Sequence, residues 1–380
     1  MFSFRGDLFR PHCLHVTFCR IRPETALQFG NLAVRKAAGA VYGRTTNFPY
    51  FHSWDSNFLI GRLGKSLQKW ETVDWIVACY ILLTSILIVS RWEIIQHAPR
   101  LLIVRFIILG ALLLLPARGA SWEFPSPREG VLLSTLRRLA SLTRYAYPLI
   151  LVLIFFEEVE YTVNALYPDQ PYWFESVLIN TEEKIFGELP VLWISSWTHP
   201  LLDEFMFAAY FSYFILLIGG VTVTWSRLRR TQEALRKSEA TREEETLHLR
   251  GFARMITGMT LAYLATFLLF PLLPARGPWE QAALTGRLPP LDGYLFAYLI
   301  SVVIQHGAVS GGCFPSSHVS GTWGLITSLP RQLIGFRRFA FPAVVLMSTA
   351  CVYTRYHWAL DVMVGFPIGL IASRIARRLA

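Results

Sequence analysis

Charge is scarce in this chain. Only 16% of its 380 residues are Asp, Glu, Lys or Arg, where a soluble globular protein carries roughly 25%. Paired cysteines are missing too. Cys13, Cys19, Cys79, Cys313 and Cys351 are odd in number and follow no regular spacing, and no CxxC occurs. A disulfide-stapled scaffold and a structural zinc module are therefore excluded. There is no internal repeat, no low-complexity tract and no carboxylate-rich cage for a hard cation, so no cofactor or metal is expected. Residues Met1–Trp70 hold no apolar core of roughly 7–15 residues, so they do not read as a secretory signal peptide.

Apolar residues fill the space that charge leaves. They make up 53% of the chain, too many for intrinsic disorder of its bulk, and they are gathered in runs. A bilayer core about 30 Å thick needs roughly 17–25 of them per helix. Candidate runs are Trp75–Ser90, Leu101–Ala117, Tyr145–Phe156, Phe205–Trp225, Phe252–Leu273, His318–Leu329, Phe339–Thr354 and Trp358–Ala372. Three of them are short. The expectation is an all-α, polytopic transmembrane helical bundle of about 6–8 spans. Residues 1–72 read as a cytoplasmic N-terminal extension, 73–160 as accessory helices and 161–380 as the main membrane domain. Between the spans, Arg227–Arg250 reads as a short amphipathic helix or a solvated linker.

The net charge of +10 is explained by where the basic residues lie. Arg227–Arg254 holds eight basic side chains and Arg331–Arg338 three, while Glu157–Glu204 holds ten acidic residues and a single Lys. Basic residues collect in short cytoplasmic loops, which places both termini in the cytoplasm and Glu157–Glu204 on the opposite side. The loop Arg91–Arg100 dissents. Nucleic-acid binding would need basic residues interleaved with aromatics on one folded face, which is not the pattern, so membrane lipids and not nucleic acid are the expected partners. Tyr172, Trp173, Trp193 and Trp197 suit the membrane interface.

Three polar clusters fall at span ends on the acidic side: Pro274-Ala-Arg276-Gly-Pro278, Gly311-Gly-Cys-Phe-Pro315-Ser316-Ser317-His318, and Tyr353-Thr-Arg355-Tyr-His357-Trp-Ala-Leu-Asp361. Polar residues at membrane depth are costly and read as functional by default. Pro315-Ser316-Ser317 is a helix start whose free N–H groups suit an anion. His357 and Asp361, four apart, share a helix face, so the carboxylate can hold one imidazole nitrogen and leave the other basic. An Arg fork suits a phosphate. Taken singly, each cluster also reads as ordinary structure: an interfacial Arg anchor, a helix cap with an incidental His, a His–Asp staple. Together they describe phosphoryl transfer through a phosphohistidine.

These residues resemble the type-2 phosphatidic acid phosphatase superfamily, whose motifs are Lys-x6-Arg-Pro, Pro-Ser-Gly-His and Ser-Arg-x5-His-x3-Asp. Pro315-Ser316-Ser317-His318 is similar to the second motif, with Ser317 in place of Gly. His357-x3-Asp361 is similar to the end of the third, and Arg276 sits at the first motif's Arg. The first motif's Lys falls at Leu269 and the third motif's Arg at Cys351. Glu183–Pro190, Pro200–Tyr213, Tyr353 and Trp358 look like the inositol phosphorylceramide synthase-like branch. The resemblance implies a six-helix core and a lipid phosphate substrate met at the extracytoplasmic face. It implies His357 as nucleophile, Asp361 orienting it and His318 as acid. It implies Arg276, Ser316, Ser317 and, as a partial substitute for the missing cations, Arg355 as the phosphate-binding set. Three readings stay open: hydrolysis by water, transfer to an alcohol acceptor, and a membrane transporter or lipid-binding scaffold whose site has lost catalysis.

Overall fold

The computed structural model describes residues 67–114 and 130–379, which belong to one compact unit, residues 57–380. The secondary structure is helical. In chain order the longer helices are α1 (Thr72–Ser90), α2 (Ala98–Leu114), α3 (Val131–Leu166), α4 (Trp173–Phe186), α5 (Pro200–Arg236), α6 (Arg242–Leu269), α7 (Leu295–Gly307), α8 (Ser317–Ser328), α9 (Ile334–Tyr353) and α10 (Ala359–Leu379). Six of them, α1, α3, α5, α6, α9 and α10, are long and apolar enough to cross a membrane. This is an all-α polytopic bundle, with six such helices among the described residues and not the eight runs counted above. Leu82, Leu83 and Ile86 of α1, Ile150 and Leu153 of α3, and Ile215 and Ile218 of α5 point outward and exposed, as suits lipid as the solvent.

Several runs differ from their expected extent for identifiable reasons. Tyr145–Phe156 is the middle of the 36-residue α3, whose internal Pro148 does not end the helix; proline is tolerated where neighbouring helices cover the freed carbonyl. Leu101–Ala117 is helical to Leu114, and residues 115–117 lie outside the described residues, as do residues 1–66 of the expected N-terminal extension. Residue 160, an expected domain boundary, lies inside α3. His318–Leu329 corresponds to α8, only 12 residues long, or about 18 Å, too short to cross. The stretch Arg227–Arg250 is neither a separate helix nor a linker. Nothing between Arg227 and Arg236 breaks α5, and α6 begins at a capping box in which Thr241 and Glu244 satisfy each other's backbone N–H groups. Leu295–Gly307 adds an apolar helix, α7, that the runs above do not include.

Short α8 is the hub. It packs on α5, α6, α9 and α10. Close approach is achieved with glycine, as is usual between membrane helices. A Cβ on Gly324 would come within 2.7 Å of the Gly258 carbonyl oxygen, and one on Gly369 within 2.6 Å of the Ser320 carbonyl oxygen. The accessory helices are tied by charge. Arg105 of α2 meets Glu158 of α3 at 2.6 Å, and Arg144 of α3 meets Asp74 of α1 at 2.9 Å, all four residues being buried. Tyr147 donates to the same Asp74 carboxylate. Pairing is the condition on which charged groups persist at this depth. Thr72 Oγ1 donates to the Leu379 carbonyl oxygen at 3.0 Å, so the start of α1 and the end of α10 meet at one end of the bundle.

Candidate active site

Helix polarity brings three connections to the other end. The segment after α6, the segment before α8 and the turn between α9 and α10 are laced by their main chains. Cys313 N donates to the Ala275 carbonyl at 3.2 Å, Trp279 N to the Arg355 carbonyl at 3.1 Å, and Ser316 N to the Asp361 carbonyl at 3.1 Å. Trp358 Nε1 adds a bond to the Arg276 carbonyl at 2.9 Å. Two residues make the sharp bends in the left-handed region: Gly311 (φ 82°) and Arg355 (φ 68°). For a side chain as bulky as arginine that conformation is unfavourable and marks functional sites.

Within this frame a line of polar groups runs Asp361, His357, His318, Tyr210. His357 Nδ1 lies 3.2 Å from Asp361 Oδ2, and His357 Nε2 lies 3.3 Å from His318 Nδ1. His318 Nε2 lies 3.3 Å from the Tyr210 hydroxyl. Asp361 is fully buried, and its Oδ2 also accepts from Trp358 N at 2.9 Å and from the Cys313 thiol at 2.7 Å. An i,i+4 spacing bridging the start of α10 gives the His–Asp contact directly. Burial pulls the pKa of His357 down to about 4, so the imidazole is neutral at pH 7. Its Nδ1–H then donates to Asp361, and the Nε2 lone pair faces His318 Nδ1.

Both histidines line a small pocket of about 90 Å³ between α3, α5 and α7, walled by Phe156, Tyr210, Phe214, Ile304 and Tyr356. Its lining holds one carboxylate, Glu280, and neither Lys nor Arg. Burial raises the Glu280 pKa, towards the neutral form.

The expected phosphate-binding set is dispersed. Arg276 does not line the pocket. Its Nε and Nη2 grip Glu175 of α4 at 2.8 and 2.9 Å, and Nη1 donates to Gln170 at 2.9 Å. These hydrogen bonds to Glu175 raise its pKa. Ser316 caps α8, its Oγ accepting from Val319 N at 3.3 Å. Ser317 is buried at the first turn. Arg355 is 8% exposed, its Nε and Nη2 have no partner, and it feels the charge of Asp203, which is held by the Tyr353 hydroxyl and by Asp292 N. None of the four lines the pocket. The aromatic expectation divides: Trp173, Trp193 and Trp197 are exposed, whereas Tyr172 is buried and bonds Asn164.

Four residues of the site carried no motif signal. Cys313 and Tyr210 lie within quoted stretches, but nothing in their types marks a partner of Asp361 or of His318. Glu175 and Glu182 reach the site from α4. Fully buried Glu182 accepts from Leu360 N at 2.8 Å and caps α10, a favourable place for a carboxylate. Burial still pushes its pKa up to about 7. Cys313 Sγ, His357 Nδ1 and Asp361 Oδ2 lie within 4.8 Å of one another. They are the one set among the described residues with the donors and proximity for a small cation, and their mutual hydrogen bonds use the same lone pairs.

Residues 244–375 match the family model described as the PAP2 superfamily. This segment of the chain is a PAP2-superfamily domain. It runs from the start of α6 to near the end of α10 and carries all three connections and both histidines. The match supports a lipid enzyme of the phosphatase or phosphotransferase type. No curated protein and no solved structure matches the chain.

Proposed function

We propose that the protein is an integral-membrane lipid phosphatase that cleaves a lipid phosphate ester through a phosphohistidine on His357. The observation that carries this reading is the line Asp361–His357–His318, which presents a neutral, oriented imidazole to a pocket shared with a second imidazole. His357 Nε2 attacks phosphorus while the bond from phosphorus to the lipid oxygen breaks. Burial and the neighbouring His357 hold the His318 pKa down, to about 3; the negative charge of the bound phosphate raises it in the complex, where protonated His318 gives its proton to that oxygen, releasing the lipid alcohol. A water then attacks the phosphohistidine, His318 takes the water's proton, and phosphate leaves with His357 restored. Asp361 stabilises the His357 cation that forms in the first step. Arg355, outside the pocket lining but two residues from His357 in the chain, has unpaired guanidinium nitrogens and adds positive charge to this end of the bundle. Arg276 acts through Glu175 as a clamp on the connection. By the distribution of basic loops, the site faces the extracytoplasmic side.

The pocket lining supports a second reading. Without Lys or Arg, and with Glu280 present, it suits a phosphodiester with one negative charge better than a phosphomonoester with two. Its apolar walls also disfavour water. Transfer of the phosphoryl-linked head group to an alcohol acceptor uses the same first step.

Detergent-purified protein incubated with phosphatidic acid, a polyprenyl diphosphate and phosphatidylinositol, with and without alcohol acceptors, separates the two. Free phosphate that disappears in His357→Ala supports the phosphatase. An acceptor-dependent new phospholipid without free phosphate supports the transferase. Equal inertness of wild type and His357→Ala on every lipid would overturn both.

A further inference from the structure

The opposite end of the bundle holds a second recess, of about 370 Å³, within the size range of ligand sites. Its origin is the length of α8. That helix ends at Ser328 after about 18 Å, whereas its neighbours α6 and α10 run for about 42 and 31 Å. The space below its last turn is closed only by the connection from Leu329 to Leu333. Four arginines converge on it from three elements and this connection: Arg254 of α6, Arg331, Arg337 of α9 and Arg377 of α10. None of the eleven lining residues carries a carboxylate, and none of these arginines forms an ion pair among the described residues.

Their donors are only partly used. Arg337 Nη1 reaches the Leu329 carbonyl at 2.8 Å, and Arg377 bonds Ser373. Arg254 Nε is buried with no partner, as is Ser328 Oγ. Basic loops on this side are normal, but such charges usually spread into water. Here four of one sign share a concave site at about the depth where α8 stops, roughly 22 Å along α6 from the catalytic connections. Arg331 and Arg377 are exposed while Arg254 and Arg337 are half-buried; like charges gathered around one recess attract an anion, and planar guanidinium forks match phosphate oxygens.

We propose that this recess is a binding site for a phosphate-bearing anion, separate from the catalytic pocket. The anion arrives either as the head group of an anionic lipid or as a free phosphate compound. The site is independent of the reaction assigned to His357.

The test uses full-length protein in two settings. One is phosphatidylcholine nanodiscs doped with phosphatidylinositol 4-phosphate. The other is micelles titrated with inorganic pyrophosphate. Binding is read by native mass spectrometry for each variant. The site predicts saturable binding that Arg254→Gln and Arg337→Gln each weaken about 10-fold, with Arg377→Gln as the exposed substitute should either fail to fold. Arg338→Gln, an exposed arginine outside the recess, should change it less than about 2-fold. Binding of the lipid alone identifies a head group as the source; binding of both probes admits a free anion. If the recess variants bind like wild type, or if Arg338→Gln weakens binding as much as they do, the attraction is diffuse surface charge and the proposal fails.

Discussion

Replacing Glu175 by Gln decides what Arg276 does. The Arg276 side chain is 18% exposed and that of Glu175 4%, and three of their bonds run between the same two residues, counting Arg276 N to Glu175 Oε1 at 3.2 Å. Breaking a pair this buried leaves an uncompensated charge and costs about 3–5 kcal/mol; the exposed edge of Arg276 puts the value near the lower end. About 3 kcal/mol corresponds to a fall of roughly 4 °C in thermal midpoint for 380 residues at about 2.1 cal/mol/K of unfolding entropy per residue. Arg276→Gln should cost a similar amount. The double variant should be no worse than either single one, giving a coupling of about 2–3 kcal/mol in the cycle. Well below the midpoint, both single variants should turn over within about 3-fold of wild type. The measurements are thermal unfolding in micelles and turnover on the lipid found active. If Arg276→Gln lost 100-fold or more in kcat while Glu175→Gln did not, the guanidinium would be serving the phosphate, and the clamp reasoning would be refuted.

Asp361→Asn should lower kcat by about 10³–10⁴ while leaving the fold intact, because an amide nitrogen facing Nδ1 enforces the wrong imidazole tautomer; retention within about 10-fold would sink the assignment. The acid limb of the kcat/KM profile should fall well below the ordinary histidine value of about 6.5, with a midpoint near 4, since burial lowers the His357 pKa and the neutral nucleophile survives until pH drops through it; a limb at 6–7 would contradict a buried, neutral His357. Gly369→Leu should prevent assembly of α10 on α8, since even a Cβ meets the Ser320 carbonyl oxygen at 2.6 Å, and size-exclusion profiles of the purified variant should show aggregate in place of the wild-type peak. Cys313→Ser should keep at least about a tenth of the activity and leave it insensitive to chelators, because a hydroxyl can replace the thiol as donor to Asp361; loss of activity restored by added zinc would instead make the Cys313, His357 and Asp361 set a metal site.

Legibility followed sequence distance. His357 and Asp361 are one helical turn apart, so their contact is implied by spacing alone. His318 follows a Pro-Ser-Ser start that α8 displays as expected, and counting spans put it at the depth of His357. Contacts between remote segments had no such rule. Arg276 and Glu175 are 101 residues apart, and only the path of α4 shows that the expected phosphate fork meets a carboxylate. Similarly, the length of an apolar run says little about a helix that continues past it. Charged residues such as Arg137, Arg138 and Glu158 interrupt the hydropathy of α3 without interrupting its hydrogen bonds, so a 12-residue run stood for a 36-residue helix. Membrane position of the six long helices was readable because the solvent itself selects composition; the role of α8 as hub was not, because its glycines carry packing information only once the partners are known.

The main-chain lacing of the three connections separates scaffold from chemistry. The bonds Ser316 N to Asp361 O, Trp279 N to Arg355 O and Cys313 N to Ala275 O involve no side chain. A substitution that abolishes turnover at 357 or 361 therefore leaves the pocket walls where they are. Such inactive variants are natural substrate traps: they should retain their lipid through extraction and purification, and the retained molecule can be read directly by mass spectrometry. The same property makes the site open to redesign, since the identity of the reacting groups can change without rebuilding the loops that hold them.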